Sequence, residues 1–174
     1  MSHTFLHEAA HAVLAIDREL PFIRISVGTP EYFEPTHAGR EVAGGLHVPQ
    51  PVSTWIQENP LASYEMMIAG KVCEDAAFGH HLDGSWHGDL ALWCIGMGLS
   101  EYSQDLVEEA LGQSILDVEA GVRGHLVAQY PRAKAIVVAM SGIADGSGHT
   151  TLSYDEGPWS MERDEVLAAA GPQL

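Results

Sequence analysis

The chain has 174 residues, of which 46% are hydrophobic, and its 24 acidic and 8 basic side chains give it a formal net charge of −16. This length and composition are typical of one globular domain with a core of its own. The charge argues against nucleic acids and anionic membrane surfaces as partners, because the field of the protein repels phosphate. We therefore expect a single domain over residues 1–174 that binds neither nucleic acid nor membranes.

Targeting and membrane segments are not predicted. Residues 1–6 contain neither the basic n-region nor the apolar h-region of a secretory signal. The most apolar run, residues 133–144, is interrupted by Lys134 and is too short to cross a bilayer. Cys73 and Cys94 are too few for a disulfide framework and lack the paired spacing of a structural zinc site, so we expect buried thiols. Together these features favour a cytoplasmic protein.

The first elements along the chain are predicted to be one helix and two short strands. A helix is expected over residues 4–18, capped by a threonine and rich in alanine along its buried face. Residues 22–27 alternate in polarity and are rich in β-branched side chains, which predicts a strand. Residues 29–42 contain two prolines and show no period, as is typical of a loop. Residues 44–48 are predicted to form a second short strand.

The remainder of the chain is predicted to be mainly helical. Helices are expected over residues 61–78, 89–97, 104–130, 131–143 and 161–170. Gly79 and Gly98 are the predicted ends of the first two, and Pro131 suits the first turn of the fourth. Residues 145–160 are rich in glycine and polar side chains, which favours a loop. The predicted class is therefore α+β and mainly α, with a small β element inserted after the first helix.

The strongest functional signal is the His-Glu-x-x-His motif formed by residues 7–11. Two helical residues four apart differ by about 40° and about 6 Å, so the imidazoles of His7 and His11 can reach one ion. Zinc binds neutral imidazole, and its catalytic sites keep one position open for water. Glu8 lies beside the two histidines, where it can take a proton from that water. The motif thus predicts Zn²⁺ on His7 and His11, with Glu8 as general base; the alternative is a helix with two surface histidines.

A third zinc ligand is required, because two histidines hold the ion weakly. Asp17 occupies the position of the third ligand in the extended metzincin motif. However, Leu14 replaces the turning glycine of that motif, which leaves Asp17 about 240° round the helix and about 9 Å along it from His11. Asp17 is therefore a poor candidate, and a second helix is the other usual source. Spacing alone leaves four candidates open: Glu74, Asp75, His87 and Asp89.

Three blocks of the sequence resemble, in the same order, the peptidase domain of the FtsH-type zinc metalloproteases. Residues 7–12 match the family's His-Glu-Ala-Gly-His-Ala, except that Ala10 replaces the glycine. Residues 69–79 are similar to its Gly-Gly-Arg-Ala-Ala-Glu-Glu…Phe-Gly helix. Residues 85–90 fall where the family has Gly-Ala-x-Asn-Asp-Leu, whose aspartate is the third zinc ligand. The likeness covers about residues 4–100.

This resemblance implies a helical, zincin-like metallopeptidase domain in which Asp89 is the third zinc ligand. It also matches Glu74 to a family glutamate near the zinc-bound histidines, which implies that Glu74 orients an imidazole. The alternative for Glu74 is an ordinary solvated carboxylate on a helix. The loop before Asp89 departs from the family through Trp86 and His87, which affects the neighbouring substrate contacts more than Asp89 itself.

The expected function is that of a zinc metalloendopeptidase acting on unstructured or delivered polypeptides. The chain contains no Gly-x-x-x-x-Gly-Lys-[Ser/Thr] phosphate loop, so we expect a peptidase domain without the AAA+ ATPase module and without ATP dependence of its own. A separate ATPase and a homo-oligomer are both open as partners. There are two alternatives to the metalloendopeptidase function. One is a non-catalytic, metal-binding regulatory or interaction domain that retains the fold, and the other is a hydrolase of small amides.

Overall fold

The computed structural model describes residues 3–27, 44–49, 51–81, 86–142 and 159–173. The helices in these ranges are α1 (His3–Asp17), α2 (Val52–Glu58), α3 (Pro60–Phe78), α4 (His87–Met97), α5 (Gln104–Leu111), α6 (Ile115–Ser141) and α7 (Arg163–Ala170). The strands are β1 (Arg24–Val27), β2 (Gly44–His47) and β3 (Trp159–Glu162). The predicted α+β, mainly α class is thereby confirmed. Among the helices described, none combines the length and the apolar character needed to cross a membrane.

Helix α1 is the centre of the fold and packs against α3 and α6. Every residue from Thr4 to Ala15 is buried, which explains why this helix is apolar on nearly all sides and rich in alanine. Buried polar groups are costly unless they have partners. The polar side chains that α1 nevertheless buries, His7, Glu8 and His11, therefore mark the position of the candidate site.

The strands form one antiparallel sheet in the order β2-β1-β3. Arg24 of β1 lies opposite His47 of β2 and opposite Glu162 of β3, so β1 is central. The sheet packs against α1 through β1 and β2. Since β2 ends the strand order, one of its two sides is left unpaired within the described part of the chain.

A buried ion pair ties the end of α1 to α6. Arg132 donates through Nη1 to both carboxylate oxygens of Asp17, at 2.6 and 2.8 Å, and His125 Nε2 donates to Asp17 Oδ2 at 2.8 Å. The Nε of Arg132 also donates to the carbonyl oxygen of Ala170, which joins α7 to the same network. Asp17 is thus engaged in holding helices together, in agreement with its rejection as a zinc ligand.

The prediction of one helix over residues 104–130 followed by a new helix at Pro131 is wrong. The chain breaks at Gly112, which ends α5 in a left-handed conformation with φ 69°, and Ser114 then caps α6 by accepting from the backbone N–H of Leu116. Pro131 lies inside α6, where proline costs about 3 kcal/mol. The helix continues through it because the flanking residues, such as Arg132, are buried in contact with other elements.

Other boundaries agree more closely. Helices α3 and α4 end at Phe78 and Met97, and the following Gly79 and Gly98 both have φ 76°, as predicted for helix ends. Helix α2 and strand β3 were not predicted, and the last helix begins at Arg163 because residues 159–162 pair with β1. Both cysteines are buried, as expected. The loop predicted over residues 29–42 and most of that over 145–160 lie outside the described residues.

Candidate metal centre

Three predicted ligands come together between α1 and α4. Helix α1 places the rings of His7 and His11 on one face, with their centroids 4.6 Å apart. Asp89, in the first turn of α4, lies with its Oδ2 3.3 Å from His7 Nε2 and 3.4 Å from His11 Nε2. Within the described residues, these three are the group whose potential ligand atoms all lie within 4.8 Å of one another. The structure therefore brings Asp89 to the two histidines.

The His11 ring turns one nitrogen towards this carboxylate. Its Nδ1 donates to the carbonyl oxygen of Met66 at 2.6 Å, and a carbonyl oxygen can only accept. With Nδ1 bonded to Met66, the Nε2 atom of the ring points towards Asp89. That nitrogen is buried and has no hydrogen-bond partner among the residues described. An imidazole nitrogen and a carboxylate oxygen side by side are unfavourable unless a proton or a cation lies between them.

The ligand spacing fits a tetrahedral ion. Zinc takes imidazole nitrogen at about 2.0–2.1 Å, so two ligands of a tetrahedral site are about 3.3–3.4 Å apart. The distances from Asp89 Oδ2 to the two Nε2 atoms are 3.3 and 3.4 Å. All three ligand atoms lie within 4.8 Å of one another, and three protein ligands leave the fourth position of a tetrahedral ion open.

Glu74 and Gly70 of α3 fix the ring of His7. Glu74 is fully buried, and its Oε1 lies 3.4 Å from His7 Nδ1, the nitrogen that faces away from Asp89. A Cβ atom at Gly70 would lie 2.4 Å from three atoms of the same ring, so only glycine leaves room for it. Sequence reasoning missed Gly70. A glycine inside an apolar helical pattern costs about 1 kcal/mol and signals a close approach of this kind.

The remaining candidates for a third ligand lie elsewhere. Asp75 faces Lys71 at 3.7 Å and accepts from His81 Nδ1 at 2.8 Å. The side chain of His87 is exposed to solvent. Neither Asp75 nor His87 belongs to the cluster of possible metal ligands that His7, His11 and Asp89 form.

Glu8 lies beside the cluster, under strand β2. Burial raises the pKa of its carboxyl, the two imidazoles partly oppose this, and the result is a pKa of about 7. A Cβ atom at Gly44 would lie 3.0 Å from Glu8 Oε1 and 2.8 Å from the carbonyl oxygen of Ser26. Strand β2 can therefore approach Glu8 this closely only because it begins with glycine.

The metal-free cluster carries a proton that a cation would displace. Burial lowers the pKa of His7, but hydrogen bonds with Asp89 and Glu74 outweigh it and raise the pKa to about 10. For Asp89, burial raises the pKa, but His11 and His7 together lower it to about 2. Metal ligands must be deprotonated, so an ion that binds here releases the proton of His7.

Comparison of the chain with protein-family models, curated proteins and solved structures finds no match. The likeness to the FtsH-type peptidase domain consequently stays an expectation based on the three sequence blocks.

Proposed function

We propose that the chain is a zinc-dependent metallopeptidase with a zincin-like site, in which His7, His11 and Asp89 hold Zn²⁺. One observation carries this proposal: the buried Nε2 of His11 lies 3.4 Å from Asp89 Oδ2 without a hydrogen bond, while Nδ1 of the same ring is bonded to the carbonyl oxygen of Met66. The distances of 3.3 and 3.4 Å from Asp89 Oδ2 to the two Nε2 atoms support it. Two imidazoles and one carboxylate form a donor set suited to zinc, whereas Mg²⁺ and Ca²⁺ prefer oxygen ligands throughout.

The protein residues around the ion have separate tasks in peptide hydrolysis. A bound zinc ion lowers the pKa of water and polarises a carbonyl group. Glu8 accepts the proton of the attacking water and returns it to the leaving amine, a role that suits a carboxyl with a pKa of about 7. Glu74 keeps the His7 ring oriented through Nδ1. The side of β2 that has no partner among the described residues is suited to pairing with an extended polypeptide, and Gly44 of this strand lies next to Glu8.

A non-catalytic, metal-binding regulatory domain is the second candidate, and the burial of the cluster favours it. His7, Glu8 and His11 are only 4%, 6% and 3% exposed, which restricts the access of a polypeptide substrate to the ion. Asp89 differs, since its side chain is 31% exposed. The open side of the site therefore lies at Asp89, and substrate has to approach from there.

Cleavage of an unfolded protein by the zinc-loaded chain tests the proposal. We expect wild type to cut casein without ATP, and Glu8→Gln to retain zinc while losing about 10²–10⁴-fold in rate, because the amide cannot accept a proton. His11→Ala serves as the control that loses the ion. Stoichiometric zinc without cleavage by wild type would favour the regulatory domain. Absence of zinc binding would overturn both candidates.

A further inference from the structure

A second concave site lies on the outer face of α4. Between α4 and the segment that follows it, the structure forms an open cavity of about 250 Å³. Helix positions 87, 91 and 94 turn towards the cavity, whereas Asp89 is about 140–160° round the helix from them. The cavity is therefore separate from the metal cluster. Its principal lining residues are Trp86, His87, Leu90, Cys94, Leu99 and Tyr102.

Exposed apolar side chains continue this surface. Ile95 lines the cavity and is 71% exposed, Tyr102 is 43% exposed, and the neighbouring Leu92 is 36% exposed. Single apolar residues on a surface are ordinary. A cluster of them around a concavity is typical of a place where another molecule binds.

Acidic side chains dominate the surroundings of the cavity. Lys71, whose Nζ lies 5.7 Å from the centroid of the Trp86 ring, is itself paired with Asp75 and Glu119. Residues 72–122 contain ten Asp and Glu and no Lys or Arg. Glu101 lines the cavity, and α5, which begins two residues after Tyr102, exposes Asp105 and Glu109. Charges that are not neutralised nearby attract cations over about 10 Å at 0.1 M salt. An occupant of this surface therefore needs to be both apolar and positively charged.

We propose that the α4 cavity binds a basic polypeptide segment that inserts one bulky apolar side chain between flanking lysines or arginines. The cavity is smaller than the roughly 300–1,000 Å³ of most small-molecule pockets and suits a single anchoring side chain. A second copy of this chain fits poorly, because two chains of net charge −16 repel each other. This interaction is independent of the metal site and holds whether or not the protein cleaves peptides.

Fluorescence anisotropy with two labelled peptides tests the proposal. The probe carries a central leucine–phenylalanine pair flanked by lysines, and in the control peptide glutamates replace the lysines. We expect only the lysine peptide to bind, and more weakly as salt rises. Ile95→Gln should weaken binding about tenfold, since it removes apolar contact area. Leu116→Gln is the matched control, because Leu116 is 69% exposed on α6 and does not line the cavity.

The charge contribution is tested by a second pair of variants. Glu101→Gln should weaken binding of the lysine peptide about two- to fivefold at low salt, as for an exposed ion pair. Asp117→Asn, an exposed acid on α6, should leave the affinity unchanged. Circular dichroism confirms that each variant is folded.

Several results would overturn the assignment. Equal binding of the glutamate peptide would show apolar adhesion without charge selection. Equal losses in Ile95→Gln and Leu116→Gln, or no binding of the lysine peptide at all, would show that the cavity is not the binding site. Self-association of the unliganded protein that Ile95→Gln abolishes would identify a second copy as the occupant.

Discussion

Replacement of Gly70 by alanine should remove zinc from the site without touching a ligand. The added Cβ would lie 2.4 Å from three atoms of the His7 ring, whereas ordinary contacts begin at about 3.4 Å. The ring must therefore move by about 1 Å. Glu74 and Asp89 lie on its two sides at 3.4 and 3.3 Å, so such a movement breaks the ligand geometry. Metal sites tolerate deviations of about 0.2 Å in ligand distance.

The size of the effect follows from this mismatch. We expect zinc affinity to fall by about 100-fold or more, since changes to residues that orient metal ligands typically cost about 10–100-fold. Overpacking should destabilise the metal-free fold by about 1–3 kcal/mol, partly offset by the better helix propensity of alanine.

Gly121→Ala is the matched control for this variant. Gly121 is also helical, but a Cβ atom there would meet nothing within 4 Å. Alanine at this position should leave zinc affinity unchanged and stabilise α6 by up to about 1 kcal/mol. Zinc competition against a chromophoric chelator and thermal unfolding of both variants provide the measurements. Wild-type zinc affinity in Gly70→Ala would refute the packing argument.

Three further predictions concern the surroundings of the ion. Glu74→Gln should weaken zinc binding about 10–100-fold, measured by chelator competition, while Asp75→Asn leaves it unchanged. Zinc affinity should increase as the pH rises to the His7 pKa of about 10, since the ion displaces the proton of His7. Calorimetry at pH 8 in buffers of different ionisation enthalpy should show release of about one proton per zinc ion bound, and no release would contradict this. Asp17→Asn should destabilise the fold by about 3–5 kcal/mol in urea unfolding, because it removes the negative charge that faces the buried Arg132. The folded variant should still bind stoichiometric zinc, and loss of zinc by the folded variant would give Asp17 the role assigned to Asp89.

The sequence was most informative where a local signal decides the structure. The helix around His7 and His11 follows from alanine content and the spacing of its buried face. The ends of α3 and α4 follow from Gly79 and Gly98, whose left-handed backbone favours glycine over other residues. The same rule applied to Gly112 would have separated α5 from α6, but the continuous apolar pattern concealed it.

Features that depend on distant contacts were beyond local reasoning. In the sequence, Pro131 is typical of the first turn of a helix. In the structure it lies inside α6, which stays continuous because it packs against neighbouring elements. Sequence spacing could not distinguish Asp89 from Asp75 as the third ligand. Asp75 lies on α3 and Asp89 on α4, and their distances to α1 depend on how these helices pack. Gly70 contacts His7 across more than sixty residues of chain, so its role emerges only in three dimensions.

Anomalous diffraction at the zinc edge from crystals of the zinc-loaded protein would locate the ion. We expect one peak per chain, between α1 and α4, about 2.0–2.2 Å from His7 Nε2, His11 Nε2 and a carboxylate oxygen of Asp89. A peak on other residues, or none between these three side chains at full zinc loading, would contradict it.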